Sequence, residues 1–333
     1  MEIIVDVMSG DNAPFEMIKG VCLASKEVTA NFTLVGNEGK IRRIANENGF
    51  DIRRFDIVHT DEVITMEDDP LSIVRAKKNT SMGVGLKLLA EDKGDAFVSA
   101  GNTGALFTGA TLIVRKIRGI QRAAIASVLP MQPPVLLLDS GANVTVTEDY
   151  LEQFAIMGSI YMKKVYGIDM PRVGLLNNGT EACKGTPLQI EAYKRLMDCQ
   201  SINFVGNVEG SAIPFDACDV LVCDGFTGNI TIKSIEGVGK MMLSRMKQIF
   251  NSNTRARLSA ILVSEQLMEM KHDYDSTEHG GAPLLGISKP VIKAHGSSNA
   301  KAFKNAIRQA VHYYDTGVIY EIAKESEAFG PNK

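Results

Sequence analysis

No stretch of this 333-residue chain approaches the roughly 20 apolar residues a membrane-spanning helix needs, so no span is expected. Charge of neither sign dominates: the formal net charge is −3, which gives no global pull toward nucleic acid. The five cysteines (Cys22, Cys183, Cys199, Cys218, Cys223) are odd in number and form no CxxC pair. They read as buried thiols of a reducing cytosol rather than a disulfide framework. The five histidines are scattered without ligand spacing, so no metal site is expected. The start, Met1-Glu-Ile-Ile-Val-Asp-Val7, lacks a basic region before its apolar run, so no secretory signal is expected and a cytoplasmic location follows. There is no GxGxxG dinucleotide fingerprint, no Walker A loop and no GxSxG elbow. No cofactor is therefore expected, and a covalent acyl-enzyme is not indicated.

What is present is a soluble globular composition, 45% apolar and 23% charged. Strand-like apolar runs fall near 3–7, 32–36, 55–58, 95–99, 122–128, 134–138, 172–176, 202–205, 219–223 and 291–294. Helix-period segments separate most of them, which predicts a largely parallel sheet covered on both faces. Leu129-Pro-Met-Gln-Pro-Pro134 is too short for a parallel crossover, so 122–128 and 134–138 are expected to pair antiparallel. No linker divides the chain, and residues 1–333 read as one α/β domain.

Most of the chemistry-bearing residues follow strands. Asp6 and Asp11 lie in Asp6-Val-Met-Ser-Gly-Asp-Asn-Ala-Pro14, where helix capping alone also explains Asp11. Ser99-Ala-Gly-Asn-Thr-Gly-Ala105 offers Gly101, Asn102, Thr103 and Gly104, and is the strongest local anion-site candidate. Asp139-Ser-Gly-Ala-Asn143 supplies Asn143; Asn177-Asn-Gly-Thr-Glu-Ala-Cys-Lys-Gly185 supplies Asn178, Glu181 and Lys184; Gly206–Gly210 supplies Asn207. Asp224 and Asn229 bound the loop before a helix that carries Lys233, and His295, Ser297 and Ser298 come last. In open α/β sheets the strand C-termini share one edge where ligands bind. On that premise these loops predict one large polar site that holds an oxyanion, against the alternative of ordinary turn chemistry.

The segment 236–271 stands apart as a protruding helical hairpin. Its second helix, read over 255–271, is apolar on two sides, with Leu258, Ile261 and Leu262 on one and Val263, Leu267 and Met270 on the other. One face needs a second partner, either another subunit or a membrane surface, and Arg245, Lys247, Arg255, Arg257 and Lys271 flank it.

As an ordered set, Ser99–Ala105, Asn177–Gly185, Gly206–Gly210, Asp224–Asn229 with Glu236-Gly237, and His295–Ser298 resemble the PlsX-type phosphate acyltransferases of bacterial phospholipid synthesis. The likeness runs from Asp6 through Ser298. Two positions depart from the family pattern: Ser9 stands where glycine is usual, and His279 where tyrosine is common. The resemblance implies a three-layer α/β/α sandwich related to the isopropylmalate dehydrogenase and phosphotransacetylase folds, assembled as a homodimer. It implies acyl transfer from acyl carrier protein to inorganic phosphate, peripheral contact with the inner face of the cell membrane, and delivery of acyl phosphate to a membrane glycerol-3-phosphate acyltransferase. An acyl-CoA-dependent phosphotransacetylase and an NAD-dependent decarboxylating dehydrogenase on the related fold are the alternatives. From the chemistry of thioester attack, Lys184 is expected to neutralise developing charge, and His295 to orient phosphate or protonate the leaving thiol.

Overall fold

The computed structural model describes residues 1–273 and 280–327, without the side chains of Glu269 and residues 271–273. Expectations touching His279 and the Lys271 side chain lie outside what is described. Eleven strands form one sheet: β1 (Glu2–Asp6), β2 (Asn31–Gly36), β3 (Asp56–His59), β4 (Ala96–Ser99), β5 (Ala124–Leu129), β6 (Val135–Leu138), β7 (Arg172–Asn177), β8 (Asn203–Glu209), β9 (Val220–Val222), β10 (Ala282–Leu285) and β11 (Val291–Lys293). Their spatial order is β3-β2-β1-β4-β11-β10-β5-β6-β9-β7-β8.

The period-2 pattern of the strands divides the core. Ile3 and Val5 of β1 point into one apolar layer and Ile4 into the other. The first layer is covered by α1 (Phe15–Ala24), α2 (Glu38–Asn48), α5 (Glu148–Tyr166), α6 (Pro187–Asp198), α10 (Ala300–Asp315) and α11 (Val318–Ser326). The second is covered by α3 (Ser81–Ala90) and α4 (Thr103–Gly109), with the first turns of α7 (Gly225–Asn251) over β5, β6 and β9. This is the expected three-layer sandwich.

The antiparallel pairing of β5 with β6 is present, with Ala126 opposite Leu138 and Leu129 opposite Val135. β10 was not legible as a strand. Pro283 sits inside it and glycines bound it, which demotes such a run on sequence grounds. Its position matters, because β10 pairs antiparallel to both β11 and β5. Three antiparallel contacts in succession leave β6, β9, β7 and β8 running opposite to β1, β2, β3, β4 and β11. The C-terminal ends of the two halves therefore lie at opposite edges, and the one-edge premise is corrected.

α7 has 27 residues and extends about 40 Å at ~1.5 Å per residue. Only Gly225 and Gly228 of it are buried. The single helix read over 255–271 is instead two, α8 (Thr254–Leu262) and α9 (Ser264–Asp273), broken at Val263. No described helix is long and apolar enough to cross a membrane. All five cysteines are free; Cys218 and Cys223 are buried as expected, but Cys22 and Cys199 are only half-buried and Cys183 is exposed.

Candidate functional site

A cleft of about 540 Å³ runs along the face of the central strands, with α7 as its other wall. Ile125 and Ser127, two apart on β5, line its floor beside Ala282 of β10. Ile232, Ile235, Gly239 and Leu243 of α7, with Val128 and Pro130, give it an apolar stretch that Glu236 and Lys240 of the same helix interrupt. Its polar end is built by Asp11, Gly101, Thr103, Lys293, His295, Ser297 and Ser298, with Lys233 from α7. Asn229, which lies inside α7 and not in a loop before it as expected, and Ser140, two residues past β6, also line the cleft.

The loops at this end are stitched together by one backbone N–H and one side-chain amide. The Asp11 N–H donates to the Gly296 carbonyl at 2.8 Å, and the Asn12 amide donates to the Ser297 and Ser298 carbonyls at 3.1 and 3.3 Å. Gly10 makes this approach possible: its φ is +117°, and a Cβ there would lie 3.0 Å from Ala100 Cβ. Ser9 is buried against Gly101, where a Cβ would fall 2.7 Å from Ser9 Cβ. The departure from glycine at this position thus sits between loops and not in the cleft lining.

His295 stands at the cleft mouth, its Nε2 3.4 Å from Lys233 Nζ and its Nδ1 2.9 Å from Ser297 Oγ. An ammonium only donates, so the Lys233 contact requires the lone pair on Nε2 and a proton on Nδ1. The Ser297 N–H approaches Nδ1 at 3.3 Å and favours the opposite tautomer. Partial burial of the ring, then the charges of Lys233 and Lys293, holds the His295 pKa below the ordinary imidazole value. Lys233 is also paired with Glu236 at 3.2 Å.

Lys293 also lines the cleft, though its place there was not anticipated from the sequence. It ends β11 only 9% exposed, and burial pulls its pKa down to about 8. The signal was available: a lysine closing an apolar strand, Val-Ile-Lys, one residue from Ala294 and two from His295.

Other expected residues prove to be braces. Asn102 caps α4 by accepting from the Ala105 N–H at 3.0 Å, and its amide donates to the carbonyls of Thr65 and Met66 at 3.1 Å and of Asp68 at 3.3 Å. Gly104 lets α4 meet Pro70, whose Cγ would lie 2.7 Å from an added Cβ. Asp6 is wholly buried, accepts from Ser99 Oγ at 2.8 Å and ties β1 to β4; burial raises its pKa. Asn143 is buried and donates to the Ala123 carbonyl at 2.8 Å and Asp139 Oδ2 at 2.9 Å. Asp224 caps α7 through the Thr227 N–H at 2.8 Å.

The loops after β7 and β8 contribute no residue to the cleft lining. Asn178, Glu181 and Lys184 are exposed, and Asn207 is buried with its amide on the Glu181 carbonyl at 2.9 Å. β7 and β8 lie one and two strands outside β9, so their loops stand about 5–10 Å further out. Among the described residues no three or more His, Cys, Asp or Glu gather as a metal site.

The model of a family described as fatty acid synthesis protein matches residues 1–321. A phosphate acyltransferase of Acetivibrio thermocellus is 44% identical over 327 residues, covering 98% of this chain and 96% of its own. One from Oceanobacillus iheyensis is 45% identical over 332 residues, covering 99% and 98%. Among solved structures, a phosphotransacetylase from Streptococcus pyogenes superposes with a TM-score of 0.60 at 17% identity, over 98% of this chain and 94% of that one. A 4-hydroxythreonine-4-phosphate dehydrogenase from Burkholderia phymatum superposes at 0.50 and 13% identity, over 93% and 97%. Those two likenesses concern the fold alone; the first matches the expected relation to the phosphotransacetylase fold, and the second is to a dehydrogenase. The extent and level of the sequence matches mean that this chain belongs to the fatty acid synthesis protein family.

Proposed function

We propose that this enzyme transfers an acyl group from the thioester of acyl carrier protein to inorganic phosphate, releasing acyl phosphate and the free carrier thiol. The observation that carries the reading is a single cleft with a cationic, hydroxyl-rich end and an apolar stretch along α7. A phosphate dianion suits the first and an acyl chain the second. In the reaction a phosphate oxygen attacks the thioester carbonyl carbon, the C–O bond forms and the C–S bond breaks. The proton of hydrogen phosphate passes by way of His295 to the carrier thiolate. A neutral imidazole is required for the first half of that relay, and the lowered pKa of His295 favours it. Lys233 and the Gly101 and Thr103 loop, which line the same cleft, oppose the negative charge that builds on the carbonyl oxygen in this scheme.

Leu258, Ile261 and Leu262 are 59%, 69% and 85% exposed on α8, beside Arg255 and Arg257. An apolar surface with basic neighbours suits the headgroup region of an anionic bilayer, and α7 offers Val238, Met241 and Met242 to a second subunit. Peripheral contact with the inner face of the membrane, a homodimer and transfer of the amphiphilic product to a membrane glycerol-3-phosphate acyltransferase complete the proposal. The test of the chemistry is a reaction of palmitate-loaded acyl carrier protein with and without inorganic phosphate, followed by mass spectrometry. Phosphate-dependent palmitoyl phosphate is the expected product; turnover only with palmitoyl-CoA would move the enzyme to the phosphotransacetylase class.

A further inference from the structure

The buried ammonium of Lys293 is the feature of the cleft that the scheme above leaves without a task. Burial disfavours a charged amine unless something nearby compensates it. Among the described residues Lys293 forms no ion pair, and its one hydrogen bond goes to the Ala294 carbonyl. Asp11, from the loop after β1, favours its charge through space, and Lys233 on α7 opposes it. His295, Glu236 and Lys240 are the remaining titratable groups on the cleft wall. An ammonium carries three donors, so two are left over. Ser298 is 4% exposed, lines the same cleft, and its Oγ also has no partner among the described residues. The N–H groups that open α10 are not the cause of an anion site here. Asn299 Oδ1 accepts from Ala302 at 2.9 Å and Glu16 Oε2 from Ala300 at 2.6 Å.

We propose that Lys293 Nζ and Ser298 Oγ together hold inorganic phosphate, the attacking nucleophile, an inference that rests on the acyl-transfer reading of this cleft. A bound dianion supplies the counter-charge that the fold omits and accepts the donors left idle. Burial then strengthens the pair, because water screens it less. Occupancy also draws the Lys293 pKa back up from about 8, so phosphate binding takes up a proton at mildly alkaline pH.

The test titrates inorganic phosphate alone, without acyl carrier protein, into wild type, Lys293→Met, Lys293→Arg and Ser298→Ala. Binding is read by calorimetry and by the rise in melting temperature. Wild type should be stabilised by phosphate, with affinity at least about tenfold weaker in Lys293→Met and several-fold weaker in Ser298→Ala. Lys293→Arg should fall between, since it keeps the charge with a larger head. If Lys293→Met does not fold, reductive methylation of wild type mapped by mass spectrometry replaces it: saturating phosphate should protect Lys293. Unchanged phosphate affinity in folded Lys293→Met, or Lys293 labelling indifferent to phosphate, overturns the proposal. Wild type that binds phosphate through Lys293 but makes no acyl phosphate would leave this site standing and remove the acyl-transfer reading. Acyl phosphate formed by Lys293→Met with an unaltered KM for phosphate would do the reverse.

Discussion

The loop after β11 holds His295 3.4 Å from Lys233 in a shared cleft, whereas the loop after β7 leaves Lys184 exposed and away from it. Both loops combine glycine with hydroxyl or amide residues and a titratable side chain. Their different positions come from a feature that neither contains. β10, β5 and β6 each reverse the direction of the neighbour before them, so β7 and β11 end at opposite edges, and β7 lies two strands beyond β6, whose following loop still reaches the cleft through Ser140. Composition identifies a loop that can meet an anion; only strand direction and order decide which loops meet the same one.

The largest expected effect lies on the β11 side. His295→Ala should lower kcat on the order of 100-fold or more, with the melting temperature unchanged, because a proton relay is lost from an otherwise intact cleft. Steady-state kinetics beside a thermal melt checks this, and near-wild-type kcat would remove His295 from the mechanism. Lys184→Ala is the matched experiment on the β7 side. An exposed charge outside the cleft is screened over roughly 10 Å, so the loss should stay within about tenfold. A loss equal to that of His295→Ala would mean that the two loops serve one reaction centre after all, as would happen if the β7 loop reached the cleft of a second subunit.

The pH profile sharpens the same contrast. His295 titrates below the ordinary imidazole value, since partial burial and then Lys233 and Lys293 favour its neutral form. As pH falls, the neutral ring of the free enzyme persists further into acid than a free imidazole would, so the acidic limb of kcat/KM for the carrier thioester should fall below pH ~6.5. Lys233→Met removes one opposing charge and should move that limb upward. A limb above 6.5 in wild type, or one that ignores the Lys233 change, contradicts the assignment. The smallest effect on chemistry is expected from Leu258→Glu with Ile261→Glu on α8, which should leave the soluble assay nearly unchanged. The same double variant should lose co-sedimentation with anionic liposomes. Retained liposome binding together with a monomeric elution volume would assign that face to a dimer contact instead.

Much of the architecture was legible from periodicity. The ten runs read as strands correspond to ten of the strands seen, and the β5–β6 reversal followed from a six-residue connection that cannot cross over. β10 escaped because Pro283 and its flanking glycines mask a short central strand, and the division of α8 from α9 escaped because Val263 continues the apolar pattern across the break. In the site, Gly101, Thr103, Asn229, Lys233, His295, Ser297 and Ser298 do line one cleft. Asn102, Asn143 and Asp224 were drawn in by a residue type that serves equally well as a cap or brace, and the two uses differ only in where the side chain's partners lie. Lys293 was passed over for the opposite reason. An aliphatic stem lets lysine end a buried strand without disturbing the pattern, so its unpaired ammonium becomes apparent only once its surroundings are in place.

The central claim is that phosphate, held at the β11 end of the cleft, is itself the nucleophile. Incubating the enzyme with palmitoyl acyl carrier protein and fully oxygen-labelled inorganic phosphate measures this directly. The expected product is palmitoyl phosphate that retains every labelled oxygen, formed in step with free carrier thiol and absent when phosphate is omitted. Free palmitate as the main product, at a rate indifferent to phosphate, would show that water attacks the thioester and would contradict it.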